Sequence, residues 1–401
     1  MPSDKNAVTC PFDFSDALEF DPVLAELMQQ DSPARIKLPY GDADAWLITG
    51  FDAVKRVTTD QRLSRAGIIE HDYPRLTPEP IVSPESINVM DPPHSSRVRQ
   101  LASQAFTQQQ ADGMRHRIVR LTDHLLDEME KQGPPADLVE HLSNTLPQQT
   151  VMDLLGVPRE DWPRMQEYVR RLLIVGAGSK AAAAKAKADL TAYFAELVEE
   201  RRHTPGPDLI SLMAEARDGD DCLNDRELAV MALTLALSGQ DTATCQISNI
   251  VYLLLTRPEL ADYLRSRTDD LTDVLSEMLR YIPFRKGVGI PRVALEDVEL
   301  DGADIRAGDF VHVSYLAANR DPEHYPNPNV IDVDRPNRPH MTFGWGGHRC
   351  IAVPLAMAEL EVAIGRLLER FPELQLAVPP EKVLWDTETI RRFPLRLPVT
   401  W

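Results

Sequence analysis

The sequence predicts a mainly α protein carrying small β-sheets, and three observations predict it. Helical periodicity dominates from Ser95 to about Arg217, with apolar residues three and four apart. A long stretch that is apolar nearly all round follows Asn224, as a buried central helix would be. Strand-like alternation is confined to short segments, in 36–50, 288–315 and the C-terminal stretch.

Residues 36–50, "IKLPYGDADAWLITG", carry short apolar runs punctuated by Pro and Gly and read as strands, followed by a short helix in "FDAVKRVTTDQRLS". From Ala66 to Pro93 the chain is rich in Pro, Ser and Asp without periodicity, which makes a long loop of the kind that often carries function. Helices follow in "SRVRQLASQAF", "MRHRIVRLTDHLLDEMEKQ", "DLVEHLSNTLPQQTVMDLLGV" and "WPRMQEYVRRLLIV". "AAAAKAKADLTAYFAELVEERR" is helical on propensity alone. Asn224 is placed to cap the central helix. Residues 288–315 switch to alternation and turn signals, predicting a small antiparallel sheet. The segment from Ala318 to Pro339 is irregular, one helix follows Cys350, and the chain ends in short strands. A single domain over 1–401 is expected, its β-rich part mostly 36–60 and 288–315 with the C-terminal strands.

The 401 residues carry a formal net charge of −19, which argues against nucleic acid or an anionic membrane as main partner. The four cysteines are scattered without a CxxC pair, so neither a zinc site nor a disulfide framework is suggested. The N-terminal stretch lacks a secretory pattern, and the apolar run Leu228 to Leu237 is too short to span a bilayer. A soluble cytoplasmic protein is expected.

Chemistry concentrates in a few constellations. In "HMTFGWGGHRCIAVPLAMAEL" the glycines 344, 346 and 347 permit positive φ and close approach of backbone to something flat or bulky. Backbone N–H groups opening the next helix would stabilise Cys350 as a thiolate. By itself the loop suits a nucleophile, a metal ligand or a buried structural cysteine. In "ALSGQDTAT" a Gly, an acid and a hydroxyl interrupt an apolar helix. Thr back-bonding explains the hydroxyl, but not the neighbouring Asp241. In "SEMLRY" Glu277 and Arg280 stand at i,i+3 and can pair; by itself the pattern is common on helix surfaces. "LLIVGAGSK" looks like a dinucleotide-binding turn, but it lacks the third glycine and a βαβ context, so it reads as a loop between helices.

Taken in order and spacing, these motifs resemble the cytochromes P450 along nearly the whole chain. "FGWGGHRC" is similar to their heme-binding loop at Phe343, Gly344, Gly346, His348 and Cys350. The resemblance implies a triangular helical prism with a minor β region, and heme b as cofactor with Cys350 as its iron ligand. Thiolate ligation favours O–O cleavage. Phe343 would pack near the sulfur, while Arg99, Arg292, His340 and His348 would meet the heme carboxylates. Ala352 stands where the family usually has Gly, Met357 where it usually has Arg, and Ser95 where it often has His, with His94 one place earlier. Gly239, Asp241 and Thr242 match the distal helix, with Ser238 at the first small position. There Thr242 would hydrogen-bond dioxygen and Asp241 would relay protons. Glu277 and Arg280 would form a structural triad with Arg335.

The activity implied is oxidation of a small organic molecule by O2 and two electrons. A ferredoxin would deliver these from an NAD(P)H-dependent reductase, docking at Arg349, Arg99 or Arg97. The retained acid–alcohol pair favours hydroxylation or monooxygenation; oxidative C–C or C–O coupling is the alternative, and a non-catalytic heme sensor a remote third. Pocket walls are expected from residues 66–90 and 165–185 and from Ala236 and Ser238. Val288 in the 285–290 segment should complete them, together with Ile390 and Arg391 near the C-terminus. Arg285, Lys286, Arg391 and Arg392 would favour an acidic or carbonyl-rich substrate if they face inward. The C-terminal "VLWDTETIRRFPLRLPVTW" is similar to the tail of family members that couple the tyrosines of a cyclic dipeptide, pointing to a peptide-derived secondary metabolite.

Overall fold

The computed structural model describes residues 7–10, 17–174, 179–267, 270–336 and 339–401. Four of the nine residues in the Leu172–Lys180 turn lie outside that set, at 175–178.

Its organising element is the helix Asp225–Thr256, entered through a full capping box. The Asn224 side chain accepts from the Glu227 N–H, and the Glu227 carboxylate accepts from the Asn224 N–H. The stretches 228–233 and 244–254 of this helix are buried on all sides, as the apolar sequence requires. Helices Thr145–Leu154, Trp162–Leu173, Lys180–His203 and Val353–Arg370 pack against it. The helix Val353–Arg370 also lies along Gln108–Gln132, so the segment leaving Cys350 is clamped between two long helices. One predicted helix is interrupted: "DLVEHLSNTLPQQTVMDLL" opens with a π-helical turn at Val139–Ser143 before its α-helical part.

The largest sheet joins the two strand-like regions. Ala45–Ile48 pairs in parallel with Phe310–Val313, which pairs antiparallel with Arg292–Ala294. Ala34–Lys37 flanks one side and Leu63–Ser64 the other. The expectation of a local antiparallel sheet over 288–315 therefore holds only in part. Val298–Leu300 and Ala303–Ile305 make their own hairpin, while the outer strands serve the mixed sheet. Periodicity marks strands but cannot name a partner more than 200 residues away.

Candidate functional site

Two stretches break an otherwise closed interior. In the middle of Asp225–Thr256, Ser238 is exposed and Leu237, Gly239, Asp241, Thr242 and Ala243 are half-buried, although the turns on either side are buried apart from Thr234. An open central turn in a buried helix offers a surface to a bound group. Along the same face hydroxyls recur every four residues. Thr234 donates to the Val230 carbonyl, Ser238 to the Thr234 carbonyl at 2.6 Å, and Thr242 to the Ser238 carbonyl. The second open stretch is the loop ending at Cys350, followed by half-buried Ile351 to Met357. Both stretches flank the packed pair of helices Asp225–Thr256 and Val353–Arg370.

The loop is built as its glycines suggest. Gly344 and Gly346 take φ of +76° and +67°. A Cβ on Gly346 would meet the Thr58 carbonyl oxygen at 2.6 Å, so only glycine lets the loop lie against the end of helix Phe51–Thr59. The Cys350 N–H donates to the Phe343 carbonyl at 2.7 Å, closing the loop on itself. Cys350 is exposed, yet surrounding protein raises the thiol pKa, opposed by the Ala352 N–H and by Arg99 and Arg349. That donor is the first of the next helix, where a thiolate would be stabilised. Ala352 and Met357 settle into the apolar clusters on either side.

Cations crowd the adjoining wall. Arg292 is 1% exposed, and its Nη1 and Nη2 have no hydrogen-bond partner among the described residues. Arg65, which the sequence reading missed, is buried beside it. It spends Nη1 on the Asn88 carbonyl, leaves Nε unpartnered, and is pulled by burial and by Arg292 down to about 9. Arg65, Arg292 and Arg99 all act on His348, which burial holds neutral with a pKa near 3 and which bonds the Ile87 backbone. Buried guanidiniums without partners are costly. Arg292 and Arg65 keep buried nitrogens unpartnered, and half-buried Arg99 adds a third cation; this donor set fits a flat group bearing two carboxylates, such as the propionates of heme. Nothing in "LSRAG" distinguishes Arg65 from a surface arginine, so only the fold could find it.

His340 sits apart from this group. The cations acting on it are Arg280 and Arg349, its Nδ1 accepts from the Thr342 N–H at 3.3 Å, and its ring lies 5.8 Å from Phe343. Its contacts lie within the loop's own support. His94 is exposed and approaches Glu227 at 4.0 Å, while Ser95 is buried, so neither replaces the missing histidine. Arg97 is committed to Asp221 and Glu227, at 2.7 Å each, and is no free docking cation.

The predicted triad assembles. Arg280 meets Glu277 through two bonds of 2.8 and 2.7 Å, and Arg335 Nε reaches the same carboxylate at 3.1 Å. Burial would raise the Glu277 pKa, but Arg280, the Asp332 N–H and Arg335 together bring it below the usual range. Arg280 also donates to the carbonyls of Asn319, Pro328 and Val330. Asn319 passes this order to the cysteine loop by bonding the Met341 N–H at 2.7 Å and the Thr342 hydroxyl at 3.0 Å.

Two of the residues expected on the pocket walls come together. Val288 and Ile390 join one apolar cluster with Ile68, Leu76, Val89, Val169 and Leu173, against which Leu237 packs. Ala236 does not join them. It is fully buried in the cluster beneath the neighbouring helices, because a step of one residue turns a helix by about 100°. Its neighbour Leu237 is half-buried and packs against both clusters.

The four basic residues divide by face. Lys286 N donates to the Ile390 carbonyl at 2.9 Å and Arg392 N to the Phe284 carbonyl at 3.0 Å, so Arg285 and Arg391 stand opposite each other on one side. Arg391 Nε donates to Asp241. Lys286 and Arg392 turn the other way, toward Asp386 at 3.5 Å and the Glu19 carbonyl at 2.7 Å. Behind the cysteine loop, Glu359 is buried with Oε1 unpartnered, and burial pushes its pKa up to about 7.

Residues 37–389 match the family model "Cytochrome P450". The chain is 41% identical to nocardicin C N-oxygenase of Nocardia uniformis subsp. tsuyamanensis, over 98% of each chain. It is 40% identical to biflaviolin synthase of Streptomyces coelicolor, over 96% of this chain and 94% of that one. Among solved structures, cytochrome P450mel 107F1 "with biaryl coupling reactivity" is similar at a TM-score of 0.96 and 53% identity, covering 98% of this chain and 100% of the other. Among the described residues, no helix is long and apolar enough to cross a membrane.

Proposed function

The chain belongs to the cytochrome P450 family, heme b enzymes that oxidise small molecules with O2, and on that premise we propose that it couples two molecules of a phenolic secondary metabolite. The observation that carries this reading is the likeness to a P450 of biaryl coupling reactivity, at 53% identity against 41% for the N-oxygenase. Biflaviolin synthase adds weight from a second relative. Each phenol would lose one hydrogen atom and the two rings would join. O2, with two further electrons and two protons, would leave as two waters.

In this reading Cys350 is the thiolate ligand of the heme iron, and Arg65, Arg99, Arg292 and His348 hold the propionates. Bound there, the heme would supply the oxidising power toward a phenol. Phe343 shields the sulfur, and Gly344 and Gly346 let the loop lie flat. Thr242, on the open turn, positions protons delivered through Asp241. Val288, Ile390 and Leu237 exclude water from the substrate. Electrons arrive from a ferredoxin, with exposed Arg349 and half-buried Arg99 beside the loop as its docking cations.

Oxygen insertion is the second reading, favoured by the intact Asp241–Thr242 pair and by the N-oxygenase relative. A peptide-derived substrate such as a cyclic dipeptide rests on the C-terminal stretch alone. The test is turnover of 1-naphthol under isotopically labelled dioxygen with ferredoxin, reductase and NADPH, followed by mass spectrometry. Coupling predicts an unlabelled dimer. A labelled hydroxylated monomer without dimer would establish insertion instead.

A further inference from the structure

Arg285 and Arg391 face each other across a narrow antiparallel pair. The flanking backbone bonds, from Lys286 to Ile390 and from Arg392 to Phe284, make theirs the non-hydrogen-bonded position, where opposed side chains come closest. Like charges directly opposite destabilise such a pair. Here the conflict is sharpened by burial: Arg391 is 5% exposed, and burial together with the Arg391 charge lowers the readiness of Arg285 to hold its proton.

The protein neutralises only one of the two. Asp241 takes Arg391 through Nε, leaving Nη1 buried and unpartnered. Arg285 has a buried, unpartnered Nε and makes no hydrogen bond or ion pair among the described residues; its pKa falls to about 10. The other nearby carboxylate, Asp386, is engaged by Lys286 and by both the Thr389 N–H and its hydroxyl. Space has nevertheless been kept for the guanidinium: a Cβ at Gly289 would lie 2.6 Å from Arg285 Nη1. The pair adjoins the open turn through Asp241, and the apolar wall through Ile390 and Val288. The cluster thus holds two cations, one anion and an apolar shelf.

We propose that Arg285 and Arg391 form an anion subsite on the pocket wall, which takes an ionised oxygen, a phenolate or acidic enolate, of a flat aromatic substrate. This deepens the coupling reading and rests on it for the aromatic part. The preference for an anion comes from the two arginines alone. A bound oxyanion would supply the missing second countercharge and orient the ring edge toward Thr242.

The test is binding to the heme-loaded protein, so its outcome does not depend on which product the enzyme makes. The probes are 2-hydroxy-1,4-naphthoquinone, whose enol is ionised at neutral pH, and its methyl ether, which is neutral and nearly the same shape. Calorimetry and the Soret shift on binding read the affinities. The anion is expected to bind at least about tenfold tighter than the ether. Arg285→Gln should remove most of that preference while changing ether affinity less than about twofold. On the unaltered protein, the preference should also vanish as pH falls below the probe's own ionisation. No preference in the unaltered protein, or an equal loss of both ligands in Arg285→Gln, overturns the proposal.

Discussion

Glu359 shows how one buried atom sets a condition for the whole site. Its carboxyl lies on the helix that leaves Cys350, buried and with one oxygen unpartnered, and burial raises its pKa to about 7. The unfolded chain releases this proton near 4.5, the folded one near 7. Between those values the folded state holds the extra proton, so the stability is fully present below about 4.5. It is lost as pH rises through 7, a cost of about 3 kcal/mol above it. Glu359→Gln should therefore stabilise the protein by about 2–3 kcal/mol more at pH 8 than at pH 5 in urea unfolding. An equal effect at both values would show that the carboxyl does not titrate with folding. The sequence shows Glu359 as one acid in a helix, and Arg65 as one arginine near a turn. Cys350, Asp241 and Thr242 were legible because their local patterns violate ordinary helix and loop chemistry. Arg65 and Glu359 become unusual only by burial, which depends on what the rest of the chain places around them.

At the scale of elements, the central helix was legible from its apolar surface and from Asn224. The capping box that starts it satisfies two backbone donors that a helix N-terminus otherwise leaves open. Asn224→Ala should cost about 1 kcal/mol of stability, read as a shift in urea midpoint with unchanged slope. No shift would mean that packing alone holds the N-terminus. The pairing of residues 284–286 with 390–392 was not legible. Each strip is three residues long and rich in charge, and strand patterns of that length carry no partner information. Yet this pairing is what sorts four basic residues, turning Arg285 and Arg391 toward Asp241 while Lys286 and Arg392 serve the opposite face. The same limit explains Ala236: the helix was read correctly, but which of its faces borders the pocket depends on the neighbours it meets.

Across the whole molecule, the account rests on convergence. The Glu277–Arg280–Arg335 cluster, through Asn319, fixes the strand of chain that enters the cysteine loop. Loop residues Ile87 and Asn88 fix His348 and Arg65 from the other side. The order of these motifs was readable along the sequence, whereas the cationic wall they create was visible only once the chain was folded. That wall and the Cys350 sulfur together should seat one heme with thiolate ligation. The most direct test is the ferrous–carbon monoxide difference spectrum of the purified protein and of Cys350→Ser. The unaltered protein should show the red-shifted Soret band of thiolate-ligated iron, and Cys350→Ser should lose it. A histidine-type band in the unaltered protein, or a thiolate band that survives in Cys350→Ser, would contradict the account.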